Sequence, residues 1–211
     1  KKTGQKFIKG RHHELICEVL DRVIRGELKR VIINLAPRYS NTEIVVKNFI
    51  AYGFGVNPKS KFIHLSYSDD LVLDNSKEIN NLMHTPEYKR LFDVEVTSTN
   101  AKKWYTKEGG GMYAVSSAGQ VTGFGAGVVE PDEEQERADI SEFMPCFESE
   151  FAGAIIIDDP IKPDDALSET IREKVNLKFE TPIRNRGNSR KTPITITKQR
   201  LHQHDLCGYL Q

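Results

Sequence analysis

Between Arg30 and Val46 the chain reads RVIINLAPRYSNTEIVV. An apolar run from Val31 to Leu35 gives way to a short loop carrying Pro37, Arg38 and Ser40, and a helical pattern begins near Thr42. A short, unbroken apolar run is the pattern of a strand buried on both faces, as in a parallel sheet. A strand, a tight loop and a helix in that order present backbone N–H groups and the positive end of the helix to an anion held at the loop. One position departs from the usual phosphate loop, because Asn41 stands where a lysine normally precedes the Ser or Thr.

The flanking segments repeat the alternation of strand and helix. Phe7 to Gly26 carries Leu15, Ile16, Val19, Leu20, Val23 and Ile24 at helical spacing, with Gly26 as a stop. His12 and His13 are adjacent and point apart on a helix, so they are expected to be polar residues of its start and not a metal pair. Thr42 to Tyr52 reads as a helix that turns Ile44, Val45, Phe49 and Ile50 inward and stops at Gly53 and Gly55. Lys61 to Tyr67 reads as a second strand with His64 packed in the core. Ser68-Asp69-Asp70 reads as the cap of a mostly helical segment from about Asp70 to Leu91.

Farther on, short β-like pieces (Val94–Val96, Lys103–Thr106, Met112–Ser116) lie among glycines at 109 to 111, 119, 123, 125 and 127. GQVTGFGAG is not a dinucleotide fingerprint, because no helix of apolar periodicity follows it. Gly153 to Pro160, GAIIIDDP, is the cleanest buried strand of the chain. A helix capped by Asp164 or Asp165 is predicted to Thr181, a strand from Pro193 to Thr197, and a turn with a short helix in QRLHQHDLCGYL. Strands alternating with helices predict an α/β domain with a mainly parallel sheet.

Composition narrows the class without deciding the function. Of 211 residues, 38% are hydrophobic and 28% charged, the balance of an ordinary soluble globular protein. Thirty basic residues offset 30 acidic ones, so bulk charge argues neither for nor against nucleic acid. The acids gather in an expected surface insert around 129–150, and the bases between Arg184 and Arg200. That basic stretch is either a phosphate-backbone contact or a solvated loop. Cys17, Cys146 and Cys207 lack metal-ligand spacing and an even count, which argues for a reducing compartment. No apolar stretch is long enough to span a bilayer, and KKTGQK has no apolar core behind it to make a signal peptide.

Two strands end in chemistry. Leu35 leads into the loop, and Ile157 leads into Asp158-Asp159. If the two strands are neighbours, the carboxylates face the loop, where a hydroxyl (Thr42) and a carboxylate (Asp158) can hold Mg²⁺ between phosphate oxygens and Asp159 can orient water. Asp at a strand end also serves simply to cap the following turn.

The segments RVIINLAPRYSNTE, GGGMYAVSSAGQVTGFGAG, GAIIIDDPIKPDDA and TKQRLHQHDLCGYL, with the His12-His13 helix, together resemble the ATPase domain of the large terminase subunit of tailed bacteriophages. The likeness runs from about residue 7 to the end. It implies a P-loop NTPase of ASCE type forming one motor domain over 1–211, with ATP and Mg²⁺ as cofactors. Pro37, Arg38, Tyr39, Ser40, Asn41, Thr42 and Glu43 match the nucleotide-binding loop. Arg38 matches a loop arginine directed at the terminal phosphate, Thr42 and Asp158 the metal-holding pair, and Asp159 the carboxylate that positions water. Thr197, Lys198 and Gln199 match a segment coupling hydrolysis to motion, and Phe7–His13 a region packing on adenine.

The resemblance further implies double-stranded viral DNA, a portal protein and a small terminase subunit as partners. Subunits are expected to form a ring when assembled, and the isolated domain is expected to be monomeric, in the host bacterial cytoplasm. No nuclease domain is expected within these residues, and hence no DNA cleavage. Asn41 departs from the family's lysine, and feeble turnover is expected. Either it was introduced to trap one state, which the intact remainder of the site favours, or it is a natural variant relying on Arg38 or a neighbour's arginine. A nucleotide-binding module that does not hydrolyse and a helicase-like ATPase are the competing readings.

Overall fold

The apolar runs form strands β1 (Arg30–Asn34), β2 (Lys61–Ser66), β3 (Lys103–Tyr105), β4 (Gly111–Ser116), β5 (Gly153–Asp158) and β6 (Ile194–Lys198). The computed structural model describes residues 8–98, 100–116, 151–184 and 192–211. The strands pair in one sheet in the order β1-β6-β5-β2-β4-β3, with every pairing parallel except that of β3 with β4.

Side chains alternate between two faces, as the pleat requires. Ala154 and Ile156 of β5 join Phe62 and Met112 under helices α1 (Arg11–Ile24), α2 (Phe49–Val56), α3 (Asp69–Met83) and α4 (Pro86–Leu91). Ile155 and Ile157 join Ile63, Tyr113, Ile194 and Ile196 on the opposite face. There they meet Leu206 and Cys207 of helix α6 (Leu206–Tyr209) and Val175 of α5 (Glu169–Arg184). The expected α/β architecture with a mainly parallel sheet flanked by helices is therefore present. Among the described residues no helix is long and apolar enough to cross a membrane.

Several local expectations are corrected. β1 is not buried on both faces. Among the described residues it is an edge strand bonded only to β6, and Val31 is its one buried side chain. The helix after the loop does not stop at Gly53 and Gly55. A π-wound segment, Thr42–Asn48, runs directly into α2 and on to Val56. Both glycines lie inside this helix because aromatic rings press against it: a Cβ on Gly53 would meet Phe62 at 2.5 Å, and one on Gly55 would meet Phe92 at 2.5 Å.

The segment from Asp70 to Leu91 is two helices. The break comes at Thr85-Pro86, where the Thr85 hydroxyl accepts the Tyr88 N–H and proline takes the first helical position. Ser68 occupies the cap position of α3 without a side-chain capping bond. Asp164 and Asp165 sit in a single 3₁₀ turn, Pro163–Asp165, and α5 begins only at Glu169, where the Ser168 hydroxyl accepts the Ile171 N–H. His13 is buried, and its Nδ1 accepts the Gly10 N–H at 2.8 Å to close the start of α1. Phe7, Cys146, the glycines beyond residue 116, the acidic insert and the basic residues 185–191 lie outside the described residues.

Candidate functional site

The loop after β1 and the turn after β5 meet at the carboxyl end of the sheet, where ligands of open α/β sheets bind. β1 and β5 are not neighbours, so the adjacency on which the sequence analysis conditioned the site is absent: β6 lies between them. The two motifs converge nonetheless, because Thr42 opens the π-wound segment that leans across β6. Its hydroxyl donates to Asp158 Oδ2 at 2.8 Å across 116 residues of sequence. π-Helical turns are uncommon and concentrate at functional sites.

Backbone strain marks the same place. Among the described residues, the non-glycine residues with positive φ are Arg38 (70°), Ser40 (64°) and Asp159 (42°). Such conformations cost about 1–3 kcal/mol each and persist where the surrounding structure enforces them, most often at functional sites. Arg38 and Ser40 curl the loop before the helix. Asn41 follows in helical conformation without making a side-chain capping bond. Arg38 and Tyr39 are exposed on the loop. The Tyr39 ring stands edge-on to His12 at 5.4 Å, which brings the start of α1 beside the loop.

Asp158 is buried, with Oδ1 lacking a hydrogen-bond partner among the described residues. Burial raises its pKa to about 7, and neighbouring Asp159 pushes the same way, while the Thr42 hydroxyl and the charge of Lys47 oppose them. Asp159 is also raised by burial, against the Gln199 N–H and the charge of Lys198. Its carboxylate accepts that N–H at 3.4 Å. A buried carboxylate with one oxygen unsatisfied is a poor resident of an apolar sheet and a suitable ligand for a cation.

The sequence matches Thr197 to a coupling segment but does not place it, with Ser66 and Ser116, in one polar row beside Asp158. Thr197 is its register partner on β6. Leu65 pairs with Ile157, so the next residue, Ser66, flanks Asp158 on β2, and Ser66 pairs in turn with Ser116 on β4. All four side chains are buried, and the Thr197 hydroxyl has no hydrogen-bond partner among the described residues. Serine and threonine at strand ends carry no distinctive pattern, so only the register reveals the row.

Lys47, also missed, forms ion pairs with Glu43 at 3.3 Å and Glu78 at 2.8 Å. Its signal was the i,i+4 charge pair with Glu43. Glu43 is thus turned along the helix toward Lys47. Gln199 meets Asp159 through its backbone, and its side chain is exposed. Pro37 lies exposed in the loop. Among the described residues no three His, Cys, Asp or Glu side chains cluster to hold a metal by themselves. No protein-family model matches the chain, and no curated protein matches it.

Proposed function

We propose that the chain is the ATP-hydrolysing motor domain of a large terminase subunit, a P-loop NTPase of ASCE type that drives double-stranded viral DNA into a procapsid. The hydrogen bond from Thr42 to Asp158 carries this reading. It joins a helix start that favours anions to a buried acid with a free oxygen, and the strained backbone lies beside both.

Thr42 and Asp158 would hold Mg²⁺, which neutralises charge on the transferring phosphoryl group when bound. A site with so few protein ligands fits this ion, which is commonly held by one or two carboxylates, water and substrate phosphates. The N–H groups of the loop and the first helical turn cradle the phosphates, and exposed Arg38 is free to reach the terminal one. Asp159, half-buried and adjacent, orients the attacking water. Asn41 supplies amide hydrogen bonds in place of an ammonium charge, and loss of one such donor costs about 10²–10³-fold in rate. A ring of subunits at the portal, with the small terminase subunit as partner in the host cytoplasm, completes this reading.

Asn41 equally favours a second reading, a module that binds nucleotide without hydrolysing it. Both require ATP binding. Titration calorimetry should therefore detect ATP binding that is strengthened by Mg²⁺ and loses that strengthening in Thr42→Ala and Asp158→Asn. Absence of ATP binding under either condition would overturn both.

A further inference from the structure

At the end of β6 a charged pair lies wholly inside the protein. Lys198 Nζ meets Asp205 Oδ2 at 2.6 Å, with the two side chains 1% and 0% exposed. Asp205 Oδ2 also accepts the N–H groups of Leu201 at 3.2 Å and His202 at 3.4 Å, and Oδ1 accepts that of Gly208 at 3.2 Å. Arg200 Nε stands 3.6 Å away as a second cation. Burial alone would raise the Asp205 carboxyl, but Lys198 and the N–H groups of Gly208 and Leu201 more than reverse it, so the group is held below its ordinary value. The turn closes so tightly that a Cβ on Gly208 would lie 1.8 Å from the Gln203 carbonyl oxygen.

A buried ion pair is seldom more stable than the apolar pair that would replace it, and its best-attested use is to fix one arrangement among several. What this pair fixes is visible in the backbone around it. The Lys198 carbonyl accepts the N–H of Leu35, the residue that enters the phosphate loop, at 3.2 Å. The Thr197 carbonyl accepts the Asp159 N–H at 3.0 Å, and the Gln199 N–H reaches the Asp159 carboxylate at 3.4 Å. Residues 197–199 thus hold both halves of the site, from a strand lying between them.

We propose that Asp205 is a positioning residue: by anchoring Lys198 and the turn that follows, it sets the strand end from which the loop and Asp159 are placed. The role in turnover rests on the function proposed above, whereas the positioning does not. Side chains of opposite charge seven residues apart are drawn inside because each neutralises the other's charge. Neither would be stable there alone.

The test uses Asp205→Asn, together with Lys198→Met/Asp205→Leu, which replaces the pair by apolar side chains and keeps the core filled. Amide exchange by NMR in the unliganded protein should quicken about tenfold more at Leu35 and Gln199 than at core amides such as Ile63 in both variants. The denaturation midpoint of the double variant should fall, because the Leu201, His202 and Gly208 N–H groups lose their acceptor. On the Asn41→Lys background the same replacement should lower kcat about 10²-fold and leave ATP affinity intact. Unchanged exchange at both amides in Asp205→Asn, or exchange that quickens equally throughout the sheet, would overturn the proposal. Quickened exchange in a protein whose Asn41→Lys parent hydrolyses no ATP would uphold the positioning and remove the catalytic reading alone.

Discussion

At the scale of single residues the site is built at the expense of stability, and pH exposes the cost. The Asp158 carboxyl, raised by burial from 3.8 to about 7, binds its proton more tightly in the folded state than in the unfolded one. Its contribution is favourable in acid and is lost as pH rises from about 4 to 7, a change of up to about 4 kcal/mol. His64 works in the opposite sense. Burial, with a smaller push from Lys47 and against the Ile156 carbonyl, lowers it to about 4. Its Nδ1 lies 3.4 Å from that carbonyl and its Nε2 lies 3.1 Å from the Asn75 amide, so the ring is a satisfied neutral link between α3 and the sheet. The unfolded chain takes up the histidine proton first, and stability falls by up to about 3 kcal/mol as pH drops from 6.5 to 4. The two contributions offset each other over much of the same range. Asp158→Asn should therefore be more stable than the starting chain at pH 8 in metal-free buffer, and should lose stability more steeply on acidification. Urea unfolding at pH 4.5, 6 and 8 measures both; an Asn variant less stable at pH 8 would contradict this balance.

At the scale of elements, the strands were legible because burial in a parallel sheet demands continuous apolar runs, and GAIIIDDP and KFIHLS could hardly serve otherwise. The helices were less so, because their limits depend on distant side chains. Gly53 and Gly55 read as stops, yet Phe62 and Phe92 press into the positions where their side chains would stand. The two differ in what a methyl group would meet. Phe62 is fully buried, so Gly53→Ala should destabilise by about 1–3 kcal/mol despite better helix propensity. Phe92 is only half-buried and can yield, so Gly55→Ala should change stability by less than about 1 kcal/mol. Thermal unfolding of the two variants distinguishes these cases. The edge placement of β1 was not legible, because an apolar run records burial and not strand order.

At the scale of the whole molecule, both ends of the site could be read from sequence, and the means of joining them could not. The strand-loop-helix around Thr42 and the acids after Ile157 stood out as local patterns. That β6 intervenes, that the π-wound segment spans it, and that Ser66, Thr197 and Ser116 line up with Asp158 are consequences of register, which no single stretch records. The charges of Lys198 and Asp205 gave no warning of burial, since each is soluble until the fold supplies its partner. As proposed above, this assembled site is a phosphoryl-transfer centre in which Asn41 stands at the place of the main cation. The most direct measurement is Mg²⁺-dependent ATP turnover of the chain beside Asn41→Lys. Near-background turnover in the first and a rate about 10²–10³-fold higher in the second, abolished by a further Asp159→Asn, is the predicted result. Equal turnover in the two proteins, or none in the lysine variant despite ATP binding, would contradict it.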